Sequence, residues 1–446
     1  KISVLINKKI KKFNKTIAVE SDKSISHRAL IIASQCIGPS VLNNILESED
    51  VKNTVNCLKK LGVKISKKND KYVVYGNGLE SLKEPKNKFL YAGNSGTLAR
   101  MIIGLLSTQS HLKIKISGDE SLCKRDMSRI IEPLSKIGCN FYPKNKKTLP
   151  IIVQGTNMPL AQNHLEKIGS AQVKSAILFA ALNTPGVTTI EEKKLSRNHT
   201  ENILKNVGAN IKIKKLRMGN KIFLRGQKNL SNFNLEIPGD PSSAAPFIVL
   251  ALFTKGSKLK IKNINCNPAR IGFIKILRKM NANIKIKNLK IKSGELVGDI
   301  LVKNSNLRAI NCPKKLVPTA IDEFPLLFIT SAIIKGTSKF SGIKELRHKE
   351  SDRIKSIQNG LKKIGIKTKS TLDSFKIYGK PEIKLKKMLK IFPEKDHRIA
   401  MSFFCLGQLI EGKIEVKNFE TVNTSFSRFL KIMKEVGAKF EIKKTY

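Results

Sequence analysis

Two kinds of apolar pattern alternate along this chain, and each recurs six times. In the first, apolar residues return every three or four positions with lysine between them, and the run closes on a glycine or asparagine. The closing segments are Leu58 to Gly62, Leu134 to Gly138, Leu204 to Gly208, Leu277 to Asn281, Leu361 to Gly365 and Met433 to Gly437, with 70 to 84 positions between successive turn residues. This spacing predicts amphipathic surface helices ended by a left-handed turn residue. The second pattern opens on a helix-capping residue and then turns almost wholly apolar. Asp22, Asn94, Ser170, Asp240, Asp322 and Asp396 begin its six examples, 70 to 82 positions apart. A helix apolar on nearly every face has to be buried. Short β-branched runs such as Tyr72 to Tyr75 and Lys113 to Ile116 supply strands between the helices. Each repeat is therefore expected to be a sheet with one buried and one exposed helix, and six such units fit two domains of three.

With 446 residues, 41% of them hydrophobic, the chain is long enough for two or three cores. Its longest apolar stretches, Pro246 to Phe253 and Phe324 to Ile334, fall short of the ~18 residues a membrane span needs, so no membrane association is expected. Lys1 to Ile6 alternates like a strand and lacks the apolar stretch and small-residue cleavage site of a secretory leader. Cys36, Cys57, Cys123, Cys139, Cys266, Cys312 and Cys405 lie far apart with no C-x-x-C pair, which fits a reducing compartment; the cytoplasm is the expected location. His27, His111, His164, His199, His348 and His397 never pair at ligand spacing, so neither a metal nor a cofactor is expected.

The formal charge of +50 raises nucleic acid, anionic membrane and phosphorylated small molecules as partners. Lysine accounts for 70 of the 84 basic residues and is scattered along the whole chain, a compositional background rather than a stripe. Half of the 14 arginines (Arg28, Arg100, Arg125, Arg197, Arg347, Arg353 and Arg398) instead fall inside short motifs, where a rigid fork for carboxylate or phosphate is wanted.

These motifs cluster at the starts of the apolar helices, where free backbone N–H groups and the helix dipole favour anions. Asp22-Lys23-Ser24-Ile25-Ser26-His27-Arg28 places Lys23, Ser24 and Arg28 in the first helical turn as an anion cradle; alone it reads as a helix cap. Gly93-Asn94-Ser95-Gly96-Thr97 flanks a helix start with glycines that let a ligand approach the backbone. Gly118-Asp119-Glu120-Ser121-Leu122-Cys123-Lys124-Arg125 sets Arg125 before an amphipathic helix, and Ser170-Ala171-Gln172 opens a buried one. Asp322 stands at the mouth of a very apolar helix. Arg347-His348-Lys349-Glu350-Ser351-Asp352-Arg353 mixes both charge signs, which by itself reads as a solvated helix face, and Asp396-His397-Arg398 reads as another cap.

In this order and spacing, over almost the entire chain, the segments resemble those of the shikimate-pathway enolpyruvyl transferases, the EPSP synthases. Lys-Ser-x-Ser-x-Arg, Gly-Asn-Ser-Gly-Thr, Asp-Glu-Ser-Leu-x-Lys-Arg, Ser-Ala-Gln-Val-Lys-Ser-Ala, Ile-Asp-Glu-Phe-Pro, Lys-Glu-Ser-Asp-Arg and Asp-His-Arg-Ile-Ala-Met all stand in register. The resemblance implies an α/β, two-lobed enolpyruvyl transferase fold, each lobe built of three βαβαββ units around buried helices. The implied boundaries are 1–21 plus 241–446 for a discontinuous lobe and 22–240 for a continuous one. It implies transfer of the enolpyruvyl group of phosphoenolpyruvate to the 5-hydroxyl of shikimate 3-phosphate, with release of phosphate and no cofactor.

By motif, Ser24, Arg28, Ser170, Ala171, Gln172, Arg197, Asp322 and Lys349 would hold shikimate 3-phosphate. Lys23, Asn94, Gly96, Arg125, Gln172, Arg353 and Arg398 would hold phosphoenolpyruvate. Asp322 and Glu350 would carry proton transfer, with Lys23 as a third catalytic group. The family's inhibitor glyphosate is expected to act here, since Gly96 leaves room for it, and the protein is expected to be a monomer. Three positions depart from the family's usual pattern: Asp126 for Pro, Asn198 for Asp and Thr424 for Lys. The sister enzyme acting on UDP-N-acetylglucosamine is the nearest alternative, but it carries a reactive Cys several residues before the Arg of its mobile loop, whereas Cys123 lies two before Arg125. A basic nucleic-acid-binding protein is the alternative of another class. Without Trp, and with 6% aromatic residues, specific stacking recognition is not expected.

Overall fold

The computed structural model describes residues 1–444, and the chain divides into two compact units. A central unit comprises Ser21–Ile237 and Ile291–Glu295; a discontinuous unit comprises Lys1–Glu20, Pro238–Lys290 and the chain from Leu296 onward. The brief return of Ile291–Glu295 to the central unit is not signalled by the apolar periodicity.

The central unit contains helices α1 (Lys23–Gln35), α2 (Glu49–Lys60), α3 (Gly96–Leu106), α4 (Glu120–Cys123), α5 (Ser128–Ile137), α6 (Ala171–Leu182) and α7 (His199–Asn206). Its three sheets share one plan. A parallel pair at one edge is followed by antiparallel strands: Phe89–Tyr91 runs parallel to Lys113–Ser117, which pairs antiparallel with Ile151–Gln154, and that strand with Asn140–Tyr142. The strands Asn163–Glu166, Val187–Glu192, Asn220–Arg225 and Asn210–Lys215 repeat the order. In the remaining sheet Cys36–Asn43 runs parallel to Leu230–Ser231 and Asn234–Glu236 and antiparallel to Lys71–Asn77. Period-2 alternation in Lys71–Asn77 turns Tyr72 and Val74 inward, so one face of that sheet meets the buried helices.

The discontinuous unit contains α8 (Pro241–Phe253), α9 (Gly272–Lys279), α10 (Phe324–Ala332), α11 (Arg353–Lys363), α12 (His397–Leu409) and α13 (Phe429–Glu435). Two of its sheets again open on a parallel pair, Leu389–Ile391 with Ile414–Val416 and Asn14–Ile17 with Lys258–Asn265. The third pairs Gly336–Ser341, Ser374–Gly379 and Thr368–Ser370 antiparallel.

In both units the nearly all-apolar helices, α1, α3 and α6 in one and α8, α10 and α12 in the other, lie at the centre of a single hydrophobic core. Burying nearly every face takes most of their surface out of water. The lysine-bearing helices α2, α5, α7, α9, α11 and α13 bury one stripe. Gly62, Gly138, Gly208, Asn281, Gly365 and Gly437, the six turn residues read from the sequence, all adopt positive φ. Gly104 in α3 has a different reason to be glycine: a Cβ there would sit 2.5 Å from Ala176 Cα, so the close crossing of α3 and α6 depends on its absence.

Some local expectations are corrected. Asn94 is not the cap of α3; Ser95 is, its Oγ accepting from Leu98 N at 3.1 Å. Asp322 does not begin a helix but lies within the 3-10 segment Pro318–Glu323, because Pro325 fits the first turn of α10 and moves the α-helical start to Phe324. Arg28 sits one turn beyond the first turn of α1. The stretch from Arg347 to Arg353 is no solvated helix face: it is a 3-10 turn, a short extended link and the buried start of α11, capped by Asp352.

Among the described residues, no helix is long and apolar enough to cross a membrane, and no group of His, Cys, Asp and Glu side chains could hold a metal ion.

Candidate active site

In the central unit the N-termini of α1, α3 and α6 gather the polar groups that the apolar helices cannot bury. Asp22 caps α1 by accepting from Ile25 N at 2.9 Å. Lys23 Nζ is held 3.0 Å from Asp50 Oδ2 on α2. Arg28 is 2% exposed; its Nε donates to Thr200 Oγ1 at 2.9 Å and Ser175 Oγ at 3.2 Å, and its Nη1 to Ser24 O at 3.0 Å. Arg197 Nη1 donates to Ser24 Oγ at 2.9 Å. Ser24, Arg28 and Arg197, 173 residues apart at the extremes, thus share one cradle with Ala171, whose carbonyl lies 3.5 Å from Arg28 Nη2. Burial, reinforced by the Lys23 and Arg28 charges, holds His27 well below the ordinary imidazole range, so it is neutral against Thr54.

A second cradle of this unit lies over Gly96, the first residue of α3. An ideal Cβ at Gly96 would fall 2.7 Å from Arg100 Nη1 and 2.7 Å from Arg125 Nη1, so two guanidinium groups converge on the bare backbone. Arg125 Nη2 donates to Asn94 Oδ1 at 3.1 Å, and Asn94 Nδ2 donates to Asp119 Oδ2 at 2.7 Å, which fixes the arginine. Gln172 reaches across from α6, accepting from Arg100 Nη1 at 2.8 Å and donating to Thr97 Oγ1 at 2.9 Å. Ser170 caps α6. Two cations, a glycine and a helix N-terminus make a site for an anion.

The discontinuous unit gathers the carboxylates. Arg353, 1% exposed, is the hub: Nε meets Asp396 Oδ2 at 2.9 Å, Nη2 meets Glu350 Oε2 at 2.7 Å, and Nη1 lies 3.6 Å from Asp322 Oδ1. Burial opposes this charge, but Asp396, Glu350 and Asp322 outweigh it and hold the guanidinium firmly protonated. Asp396 also caps α12 through Arg398 N and Ile399 N and accepts from Ser351 Oγ. Arg398 is nearly buried, its Nη1 3.5 Å from Ser242 O, and its Nε has no hydrogen-bond partner among the described residues. An orphaned guanidinium nitrogen is costly unless an anion completes it. Lys349, the residue before Glu350, is partly exposed.

The structure therefore places Ser24, Arg28, Ala171 and Arg197 with Lys23 at one cradle of the central unit, Asn94, Gly96, Arg125 and Gln172 at its second with Ser170 capping α6, and Asp322, Glu350, Arg353 and Arg398 around the Arg353–Asp396 pair of the other unit, with Lys349 beside Glu350 in the chain. Sequence reasoning gave no site role to Arg100, Asp50, Thr200 or Asp396, although Arg100 and Asp396 stood inside quoted motifs. It also missed Arg270, a fully buried arginine outside every motif, whose Nη2 meets Asp240 Oδ1 at 2.7 Å. No local signal marked Arg270.

The profile of the EPSP synthase (3-phosphoshikimate 1-carboxyvinyltransferase) family matches residues 7–433. The chain belongs to this family. The 3-phosphoshikimate 1-carboxyvinyltransferase of Petrotoga mobilis is 43% identical over 426 residues, covering 95% of this chain and 97% of that protein. That of Zymomonas mobilis is 39% identical, covering 98% and 97%. Among solved structures, EPSP synthase from Acinetobacter baumannii superimposes with a TM-score of 0.86 at 37% identity, covering the whole of both chains. The enolpyruvyl transferase NikO from Streptomyces tendae shares the fold, with a TM-score of 0.75 at 11% identity and coverage of 100% and 99%. Membership thus rests on near full-length similarity, and the mixed α/β fold is that of the EPSP synthases.

Proposed function

We propose that this protein transfers the enolpyruvyl group of phosphoenolpyruvate to the 5-hydroxyl of shikimate 3-phosphate, giving 5-enolpyruvylshikimate 3-phosphate and inorganic phosphate. The observation that carries the reading is the full-length family match together with Asp322 and Glu350 on one buried arginine, since the reaction needs two separately placed carboxyl groups. The architecture is the two-lobed one of six βαβαββ units, with 1–21 plus 241–446 as one lobe and 22–240 as the other.

Glu350, as an acid, protonates C3 of phosphoenolpyruvate, and Asp322 takes the proton of the 5-hydroxyl as its oxygen bonds to C2. The resulting tetrahedral intermediate loses phosphate from C2 as Glu350, now a base, removes a proton from C3. Lys23 is the third catalytic group. An acid–base group supplies about 10²–10⁴ in rate, so orientation and charge stabilisation by the arginines supply the remainder. Ser24, Arg28, Ser170, the Ala171 backbone, Gln172, Arg197, Asp322 and Lys349 hold shikimate 3-phosphate. Lys23, Asn94, Gly96, Arg125, Gln172, Arg353 and Arg398 hold phosphoenolpyruvate, and the orphaned Arg398 Nε supports that assignment. Glyphosate competes with phosphoenolpyruvate over Gly96. The protein works in the cytoplasm, in keeping with seven unpaired cysteines, and as a monomer.

The test is inorganic phosphate release without added metal, with each substrate omitted in turn. Release that requires both substrates is expected. Release only when UDP-N-acetylglucosamine replaces shikimate 3-phosphate would move the protein to the sister activity, and silence with both acceptors would overturn the reading. An unchanged rate at millimolar glyphosate would remove the inhibitor from the scheme, and sedimentation at twice the chain mass would remove the monomer.

A further inference from the structure

We propose that the buried triad Lys174, Glu192 and Glu201 positions Arg28 and Arg197 for shikimate 3-phosphate through its own ion pairs; the proposal rests on the functional reading above. Lys174 lies on α6, two residues beyond Gln172. Its Nζ is 2.8 Å from Glu192 Oε2 and 3.1 Å from Glu201 Oε2, and all three side chains are at most 2% exposed. Glu192 ends the strand Val187–Glu192 and Glu201 stands in the first turn of α7, so the two carboxylates flank the irregular stretch 193–198. One ammonium group thus clamps both ends of the stretch that carries Arg197. Glu192 also accepts from Ser196 Oγ at 3.3 Å and Ser196 N at 3.4 Å, drawing in the residue next to Arg197.

The same clamp sets Arg28. Thr200, beside Glu201, and Ser175, beside Lys174, meet hydroxyl to hydroxyl at 2.7 Å, and both lie within hydrogen-bond reach of Arg28 Nε. If α6 and α7 moved apart, the pair of hydroxyls that aims Arg28 would separate. Burial pushes the Glu201 carboxyl above its ordinary value and the Glu192 charge adds to this, while Lys174 and, last, Arg28 oppose it. A buried ion triad stabilises a fold little better than apolar residues of the same shape, so stability alone is a poor reason for it. Geometry is the better one: the triad ties α6 to the two residues that flank the 193–198 stretch.

The experiment compares Lys174→Met with the neutral triple variant Lys174→Met, Glu192→Gln, Glu201→Gln, by steady-state kinetics, calorimetric titration with shikimate 3-phosphate alone, and thermal melting. Lys174→Met is expected to raise KM for shikimate 3-phosphate about 10–100-fold while kcat and KM for phosphoenolpyruvate change less than about threefold. The triple variant is expected to recover the melting temperature but not the lost affinity. A wild-type KM for shikimate 3-phosphate in Lys174→Met, an equal rise in both KM values, recovery of affinity together with stability in the triple variant, or failure of both variants to fold would each overturn the proposal and leave the triad a structural element. Wild-type protein that neither binds shikimate 3-phosphate nor releases phosphate with both substrates would instead sink the functional reading.

Discussion

Arg353 and Asp396 form a buried pair, Nε to Oδ2 at 2.9 Å, with side chains 2% and 0% exposed. The aspartate thereby does two tasks: it caps α12, from which Arg398 projects, and it holds the arginine that Glu350 and Asp322 also use. Fold and chemistry are joined at this contact, because the free N–H groups of a buried helix and the charge of a buried guanidinium are satisfied by one carboxylate.

Breaking the pair should therefore cost both stability and activity. Arg353→Met strands a buried carboxylate, a loss of about 3–5 kcal/mol. Arg353→Lys keeps the charge but cannot present a planar fork to three carboxylates. We expect a lowered melting temperature for the first variant and, for both, phosphate release reduced by about 10²-fold or more. Near-native rates in Arg353→Lys would show that the fork is dispensable.

Asp322→Asn and Glu350→Gln change charge with little change in shape. Each should reduce phosphate release by about 10²–10⁴ while leaving thermal melting close to wild type. Full activity in either variant would remove that residue from the proton-transfer scheme.

Gly96→Ala places a methyl group against Arg100 and Arg125 at 2.7 Å, closer than carbon and nitrogen tolerate. The guanidinium groups have to retreat from the space they converge on. KM for phosphoenolpyruvate should rise by about tenfold or more, with KM for shikimate 3-phosphate much less affected. Equal effects on both substrates would contradict the separation of the two cradles.

His27 gives a pH signature. It is fully buried and held well below its ordinary value of 6.5, first by burial and then by Lys23 and Arg28. Below pH 6.5 the unfolded chain takes up a proton that the folded chain refuses, so stability falls as the pH drops, by up to about 1.4 kcal/mol per pH unit from this group. Urea unfolding at pH 7.5 and pH 5.5 should show the loss in wild type and a smaller one in His27→Gln. Equal slopes in the two proteins would mean that His27 titrates normally.

The sixfold periodicity was legible because it comes from local physics. A helix that is apolar on every face has to be buried, and a lysine-striped helix ending in glycine has to surface and stop. Those rules named all six positive-φ turn residues and located the polar residues at the starts of the buried helices. They did less well where two local signals compete, as at Asn94 and Ser95, or at Asp322, where a proline three residues past the expected cap displaces the helix start.

By itself, the sequence determined the repeating pattern, the burial of one helix class and, through its motifs, the family. Only the tertiary structure decided who holds whom. That Arg28 rests on Thr200, that Arg100 and Arg125 share the space over Gly96, that one lysine clamps both ends of the Arg197 stretch and that Asp396 serves Arg353 are relations between residues 18 to 172 positions apart. Hydrogen bonds and ion pairs act over about 3–4 Å, and distance along the chain carries no record of which distant side chains packing brings that close.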